Sequence, residues 1–305
     1  GGTFIQAESE LAAINMVLGA SAAGFRAMTS SSSPGISLKQ EGISYMAGCE
    51  LPGVIVNIQR GGPGLGNIGA SQGDYFQAVK GGGHGDYKLI VLAPASAQEL
   101  LDYTSLAFDL ADKYRNPAMI LGDGILGQMM EPVEIRTSSS GNNIKNKPWA
   151  LTGCAGRKPN VIKSLFLGDG VLEAHNIKLQ QKYNAIKDSE TRVEVINSKD
   201  SDVMVVAYGT PARISKAAVA KARAKGIKAG LIRPITLWPF PEKEISEIAD
   251  RVKKFLVVEM SAGQMVEDVR LSVCGKAKVD FYGRMGGGIP TEDDILAQIE
   301  KTAGA

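Results

Sequence analysis

Three features of the sequence predict an α/β architecture of parallel sheets. Apolar runs of strand length recur with helix-length crossovers between them, the runs are continuous rather than alternating, and the intervening segments show helical periodicity with caps. A parallel strand is covered on both faces, so it needs apolar side chains at successive positions instead of every second one. With 305 residues the chain is long enough for about two units, each able to bury its own core.

The first unit, residues 1–135, opens with 6–14, read as a strand end entering an apolar helix. Ser9 is its cap, and Glu10 lies in the first turn, where the helix dipole favours an acid. Residues 30–33, ahead of Pro34-Gly35, read as a second strand end whose hydroxyls either meet an anion or form a polar turn. Strands follow at 54–58, 89–92 and 118–121, at βαβ spacing. Between the last two, 96–114 sets Leu100, Leu101, Leu106, Phe108 and Leu110 among Glu99, Asp102, Asp109 and Lys113, with Ser96 as cap and Glu99 completing a capping box. From 136 to about 200 the pattern weakens and 137–147 is rich in Ser, Asn and Gly, which predicts a linker carrying one helix, 171–187. The second unit, 201–305, has strands at 203–207, 229–232, 255–258 and 279–282, alternating with helices at 210–225, 241–252 and 264–273. Thr210 as cap, Pro211 at the first helical position and Gly226 beyond a basic last turn delimit the first of these helices.

Composition excludes several classes. No run nears the roughly 18 apolar residues of a membrane helix, and the first ten residues lack the basic-then-apolar pattern of a signal peptide, so a cytoplasmic protein without a membrane role is expected. Cys49, Cys154 and Cys274 form no CxxC pair and are odd in number, a poor disulfide framework. With His84 and His175 as the sole histidines, they also argue against an iron–sulfur cluster or zinc thiolate site, and no metal site is assigned to this chain. The net charge of +2 conceals an asymmetry: residues 1–135 carry 7 basic and 13 acidic side chains, a net of −6, which leaves +8 on the remainder. A basic half suits an acidic partner or simply a solvated face. Nucleic acid is disfavoured, because no basic stretch alternates with stacking aromatics.

Chemistry-bearing residues gather where strands end. Gly64, Gly66 and Gly69 spell G-x-G-x-x-G after a strand, but a dinucleotide site also needs an acid closing the next strand about 20 residues on. Asp86 has that distance and precedes its strand instead. What remains is Arg60 at a strand's carboxyl end, followed by Gly61 and Gly62, which let backbone approach a ligand. A guanidinium there grips a carboxylate by two parallel hydrogen bonds, or else sits on a mobile surface loop. Glu10, flanked by Leu11, Ala12 and Ala13, is either a capping acid or a desolvated carboxyl that stays protonated near neutrality and donates to a heterocyclic nitrogen. In 81–86, glycines on both sides of His84 suit an acid, base or donor reaching a ligand, or a structural turn histidine.

Residues 6–10, 29–35, 57–63, 81–86 and 121–130 together resemble the alpha subunits of 2-oxoacid:ferredoxin oxidoreductases, most closely the branched-chain (2-oxoisovalerate, 3-methyl-2-oxobutanoate) type, and the likeness runs along nearly the whole chain. Residues 202–260, with Ala207-Tyr208-Gly209 and Leu237-Trp238-Pro239, are similar to the C-terminal domain of transketolases. The resemblance implies a pyrimidine-type thiamine diphosphate-binding domain followed by a transketolase-C-like domain, in an enzyme that oxidatively decarboxylates a 2-oxoacid to an acyl-CoA and reduces ferredoxin. Glu10 then matches the family's catalytic, cofactor-binding glutamate at the aminopyrimidine N1′, where a shared proton favours the imino tautomer whose nitrogen takes the thiazolium C2 proton. Arg60, with Gly61 and Gly62, matches the arginine that holds the substrate carboxylate. Ser31 is expected on the substrate side, and His84 lies in a matching glycine-rich segment.

Two departures limit what the resemblance carries. The family's N-terminal Gly-Tyr-Pro-Ile-Thr-Pro segment, whose threonine helps hold the substrate, is not among these residues. Gly122-Asp123-Gly124 is followed too soon by Asn142-Asn143 to match the magnesium-diphosphate signature of thiamine enzymes and reads as a turn, and Gly168-Asp169-Gly170 carries no site assignment. The implied partners are a beta subunit carrying the diphosphate and Mg2+ site, gamma and ferredoxin-like delta subunits with the iron–sulfur clusters, and ferredoxin, with coenzyme A as co-substrate; alone, the chain should be inactive. A subunit related to E1 beta or transketolase, and a noncatalytic scaffold, stay open as alternatives.

Overall fold

The apolar runs become strands that are buried on both faces. In a computed structural model, which describes residues 2–135 and 147–304, the first unit contains α1 (Glu10–Ala22), β1 (Met28–Ser31), α2 (Ser33–Gly48), β2 (Gly53–Gln59), α3 (Tyr75–Val79), β3 (Ile90–Leu92), α4 (Ala97–Tyr114), β4 (Pro117–Asp123) and α5 (Gly124–Gln128). After α6 (Val171–Glu190) and β5 (Val193–Ile196) come β6 (Val203–Val206), α7 (Gly209–Ala224), β7 (Ala229–Pro234), β8 (Thr236–Trp238), α8 (Glu242–Ala249), β9 (Lys254–Glu259), α9 (Met265–Val273), β10 (Lys278–Gly283) and α10 (Glu292–Ala303). Two five-stranded sheets result, ordered β1-β2-β4-β3-β8 and β10-β9-β6-β7-β5, parallel except where β8 meets β3 and β5 meets β7. In the first sheet Ser31 pairs with Asn57, and Gln59 with Asp123, so the carboxyl ends of β1, β2 and β4 lie along one edge.

The expected boundary at 201 is crossed twice. The predicted linker supplies β5 to the second sheet, and β8, from the second unit, closes the first sheet. One apolar core runs through both, from Ile14 and Ile55 to Phe255 and Val269. Buried polar groups fasten the junction. The fully buried Gln72 donates to the Tyr208 carbonyl at 3.0 Å, accepts from the Met260 amide at 2.9 Å, and its own amide donates to the Met260 carbonyl at 2.8 Å. Tyr75 donates to Asp268 at 2.7 Å. Each such bond offsets the cost of burying its atoms, so the two units are specified as one piece.

Several local expectations are corrected. Residues 2–7 form no strand ahead of α1, since the edge of the sheet is taken by β1 and this segment has no neighbour to pair with. Ser9 does cap α1, accepting from the Ala12 amide at 3.2 Å, and Ser96 caps α4. Glu99 does not complete a capping box: its carboxylate accepts from the Ala95 amide at 2.8 Å and takes both Nη groups of Arg233 at 2.8 Å each. Thr210 is not the cap of α7, because a tertiary partner claims it. Its hydroxyl donates to Asp123 at 2.9 Å, and that carboxylate also accepts from the Ile125 and Leu126 amides as the cap of α5. Gly122-Asp123-Gly124 is therefore not the turn expected after β4: Gly122 and Asp123 end the strand and Gly124 opens α5 directly, and the segment sutures the two units; Asn142-Asn143 lies outside the described residues. Helices α2, α3, α5 and α10 and strands β5 and β8 were not expected from the sequence.

The Arg233 clamp generates a pH prediction. Burial alone would raise the Glu99 carboxyl, but the hydrogen bonds from Arg233 and the Ala95 amide outweigh it and hold Glu99 below its ordinary 4.5. The pair therefore contributes fully above about pH 4.5 and is lost as pH falls through the lower folded value. Arg233→Ala should cost about 2–3 kcal/mol at pH 7, less than the roughly 3–5 of a fully enclosed pair because the Glu99 side chain stays 25% exposed. Denaturant unfolding should show that difference narrowing below pH 4.5; a gap that stays constant down to pH 3 would contradict it.

Candidate functional site

The site begins where α1 starts and β1 ends. Glu10 is the first helical residue after the Ser9 cap, and the half-buried Glu10 side chain lies back across the first turn of α2. Gly35 marks the contact: a Cβ there would stand 2.1 Å from Ser31 Oγ, 2.9 Å from Glu10 Cγ and 3.0 Å from Glu10 Oε1. The absent side chain is what lets the Ser31 hydroxyl and the Glu10 carboxyl share this corner. Beneath them runs a residue that the sequence analysis missed, Lys39. It is 1% exposed, and its ammonium donates to Thr29 Oγ1 at 2.7 Å and to the Ser30 carbonyl at 3.1 Å. Burial pushes its pKa down, and the Glu10 carboxylate opposes that shift. The available signal was its spacing with Ile36 and Ile43 on one buried helix face.

Arg60 stands one strand over and is tied to the same helix turn. Its amide donates to Ser33 Oγ at 3.0 Å, and Ser33 in turn donates to Asp74 at 2.6 Å. The buried Asn57 side chain also donates to Asp74, at 2.9 Å, and Gln59 accepts from the Asp74 amide at 3.0 Å. Beyond Arg60 the glycine-rich segment folds back as a closed loop: Arg60 bridges to Ala70, Gly61 donates to the Gly69 carbonyl at 2.8 Å, and Arg60 Nη2 donates to the Leu65 carbonyl at 3.3 Å. The Arg60 Nε is buried with no hydrogen-bond partner among the described residues. No helix opens on Gly64, Gly66 or Gly69, since α3 starts at Tyr75, so the motif is not a dinucleotide turn. Gly66, at φ 63°, is required by the turn itself: a Cβ would lie 1.7 Å from the Gly61 carbonyl oxygen.

The structure brings together Glu10, Ser31, Arg60, Gly61 and Gly62 along one edge, and it sets His84 apart. His84 is exposed, with Nδ1 3.5 Å from Ser44 Oγ and its ring edge-on to Tyr45 at 6.3 Å. Ser44 lies eleven residues along α2 from Ser33, about 16 Å at the helical rise. Of the apolar neighbours expected to desolvate Glu10, Leu11 turns outward, 46% exposed, and Ala12 and Ala13 are only half-buried. At this edge the residues fit the ring end of thiamine diphosphate. A carboxyl able to share a proton with a ring nitrogen stands beside a hydroxyl, both seated in the room left by a glycine's missing Cβ. Among the described residues no group of three or more His, Cys, Asp or Glu side chains converges as a metal site, and no helix is long and apolar enough to cross a membrane.

Known proteins are similar to this chain in sequence and fold. Residues 1–199 match the model of a family described as pyruvate flavodoxin/ferredoxin oxidoreductase, thiamine diphosphate-binding, and residues 201–295 match core domain II of pyruvate:ferredoxin oxidoreductase. The chain is 52% identical, over its whole length and 86% of the relative's, to the ketoisovalerate oxidoreductase subunit VorB of Methanothermobacter thermautotrophicus. It is 38% identical, over 98% of its length and 86% of the relative's, to the 2-oxoglutarate synthase subunit KorA of Methanothermobacter marburgensis. Among solved structures, the 2-oxoglutarate:ferredoxin oxidoreductase of Magnetococcus marinus, with 2-oxoglutarate, coenzyme A and succinyl-CoA bound, superposes with a TM-score of 0.82 at 26% identity, over 99% of this chain and 57% of that one. A split-gene transketolase, TM-score 0.60 at 15% identity over 99% of this chain and 83% of that one, shares the fold. A family model spanning residues 1–199 and a full-length relative at 52% identity establish the chain as a member of the thiamine diphosphate-binding family of 2-oxoacid:ferredoxin oxidoreductase subunits.

Proposed function

We propose that the chain is the alpha subunit of a branched-chain 2-oxoacid:ferredoxin oxidoreductase, which converts a 2-oxoacid and coenzyme A to acyl-CoA and CO2 while reducing ferredoxin. The observation that carries this reading is the placing of Glu10 and Arg60 on one sheet edge, both tied to the first turn of α2. The branched-chain preference is supported by the 52% identity to a ketoisovalerate oxidoreductase subunit, against 38% to a 2-oxoglutarate synthase subunit.

Thiamine diphosphate, when bound, supplies the nucleophilic carbon and the electron sink for decarboxylation. The chain's own residues do the rest of what this edge can do. Glu10 holds a proton at its carboxyl for the aminopyrimidine nitrogen, and the dipole at the start of α1 steadies its ionised form when that proton moves. Ser31 shares with the carboxyl the corner left by the missing Cβ of Gly35 and faces the substrate side. Arg60 binds the substrate carboxylate through its guanidinium fork and so aims the keto carbon at the cofactor. His84, set against the middle of α2, has no part in these steps.

A beta subunit holding the diphosphate and Mg2+, and gamma and delta subunits holding the iron–sulfur clusters, complete the enzyme in this reading, which places it in the cytoplasm. Support for a partner at this edge comes from the apolar surface beside Glu10: Phe4 is 94%, Ile5 67% and Leu38 50% exposed. Covering that surface would also remove water from the carboxyl.

Three variants in the assembled enzyme test the assignment. Glu10→Gln should abolish C2 proton exchange of bound thiamine diphosphate and lower kcat by roughly a hundredfold or more; unaltered exchange would favour a scaffold role. Arg60→Lys keeps the charge and removes the fork, and should raise KM for the 2-oxoacid about tenfold while leaving cofactor affinity unchanged. Gly35→Ala should still fold but lose about 1 kcal/mol, because overpacking against Ser31 Oγ and Glu10 outweighs the roughly 0.5–1 kcal/mol that alanine gains in a helix. Turnover should fall at least about tenfold, because Ser31 and Glu10 must move aside; full activity in this variant would show that the corner is not where chemistry occurs.

A further inference from the structure

The arginine loop has little burial to hold it. Residues 62–68 are exposed, with Leu65 and Ile68 each 83% open to solvent, and Gly64 and Gly66 adopt positive φ. Such a segment is mobile unless tertiary bonds fix it. Asn67 provides them. Its amide donates to the Gly61 carbonyl at 2.9 Å, its Oδ1 accepts from the Gly69 amide at 3.0 Å, and its Nδ2 donates to the Gly286 carbonyl of the second unit at 2.9 Å. One donor and one acceptor partner fix which way the side-chain amide faces.

The approach is close enough to exclude side chains on both surfaces. A Cβ on Gly69 would lie 2.7 Å from Gly287 Cα, and one on Gly61 would lie 2.4 Å from Asn67 Oδ1 and 3.3 Å from the Gly286 carbonyl carbon. The turn at Gly286 and Gly287, both at positive φ, follows β10 and belongs to the second unit. From it a continuous set of contacts leads through Asn67 to the loop backbone, and through the Leu65 carbonyl to the Arg60 guanidinium.

We propose that Asn67 is a positioning residue for substrate recognition, a clasp through which the Gly286–Gly287 turn of the C-terminal unit holds Arg60 in its carboxylate-binding pose. The proposal rests on the reading of Arg60 as the carboxylate clamp. Asn67 touches no substrate. It spares the substrate the cost of ordering the loop, so its loss is felt in KM and not in the chemical step.

The test uses the assembled enzyme with Asn67→Ala, Asn67→Asp, Arg60→Lys and the Asn67→Ala/Arg60→Lys double variant. Asn67→Asp keeps the acceptor for Gly69 and sets a carboxylate against the Gly286 carbonyl, so it breaks the tie between the units alone. Both Asn67 variants should raise KM for the 2-oxoacid about fivefold or more, with kcat, thiamine diphosphate affinity and melting temperature unchanged. The double variant should be no worse than Arg60→Lys, because both changes act through one guanidinium. Amide hydrogen exchange should quicken at 61–69 and stay slow in β2 and β4. An unchanged KM in the Asn67 variants beside a raised KM in Arg60→Lys would overturn the clasp alone, as would a kcat loss without a KM change or fully additive effects. An unchanged KM in Arg60→Lys would overturn the carboxylate role of Arg60, and the clasp's purpose with it.

Discussion

The molecule depends on a few buried polar bonds that join its two sheets. Asp123, 1% exposed at the end of β4, accepts from two amides of α5 and from the hydroxyl and amide of Thr210 on α7. Burial raises its carboxyl pKa, and those four donors oppose the shift. Gln72 does the same with a neutral amide, using its donor, its acceptor and its backbone on Tyr208 and Met260. Unpaired, each group would cost several kcal/mol in an apolar interior; paired, each permits essentially one relative placement of the units. The second unit is therefore a backing for the carboxyl edge of the first sheet, and the arginine loop is built against it.

That edge shows a division of labour. Parallel strands bring the ends of β1, β2 and β4 together, and ligands in such sheets collect outside these ends. Glu10 comes to the corner from α1, Ser31 from β1, Gly35 from α2 and Arg60 from β2, so one turn of α2 is the hinge of the geometry. Lys39 braces the corner from below with a buried ammonium whose partners are a hydroxyl and a carbonyl. Leu11 faces outward beside Glu10, 46% exposed, so the chain places the carboxyl without enclosing it in apolar side chains.

Glu10, Ser31 and Arg60 could be singled out in the sequence as candidates because strand ends followed by small or polar residues are conspicuous, and because their neighbours resemble a known family. Lys39 and Asn67 were not. A lysine within a helix reads as solvated unless its spacing with Ile36 and Ile43 is noticed, and an asparagine in a glycine-rich loop reads as turn chemistry until the Gly286 carbonyl is seen opposite it. The expected capping roles of Thr210 and Glu99 failed for a related reason: side chains suited to a local hydrogen bond were taken by stronger tertiary partners, Asp123 and Arg233.

By itself, then, the sequence determined the α/β class, the parallel character of the strands, the caps at Ser9 and Ser96 and the strand ends where candidate residues gather, since each follows from local periodicity or from a side chain within a few residues. Tertiary structure alone decided the passage of β8 into the first sheet, the pairing of β5 with β7, the suture at Asp123 and the clasp at Asn67. These join residues far apart in the chain, and the energy that selects them comes from satisfying buried or tightly approached polar groups, which no local pattern encodes.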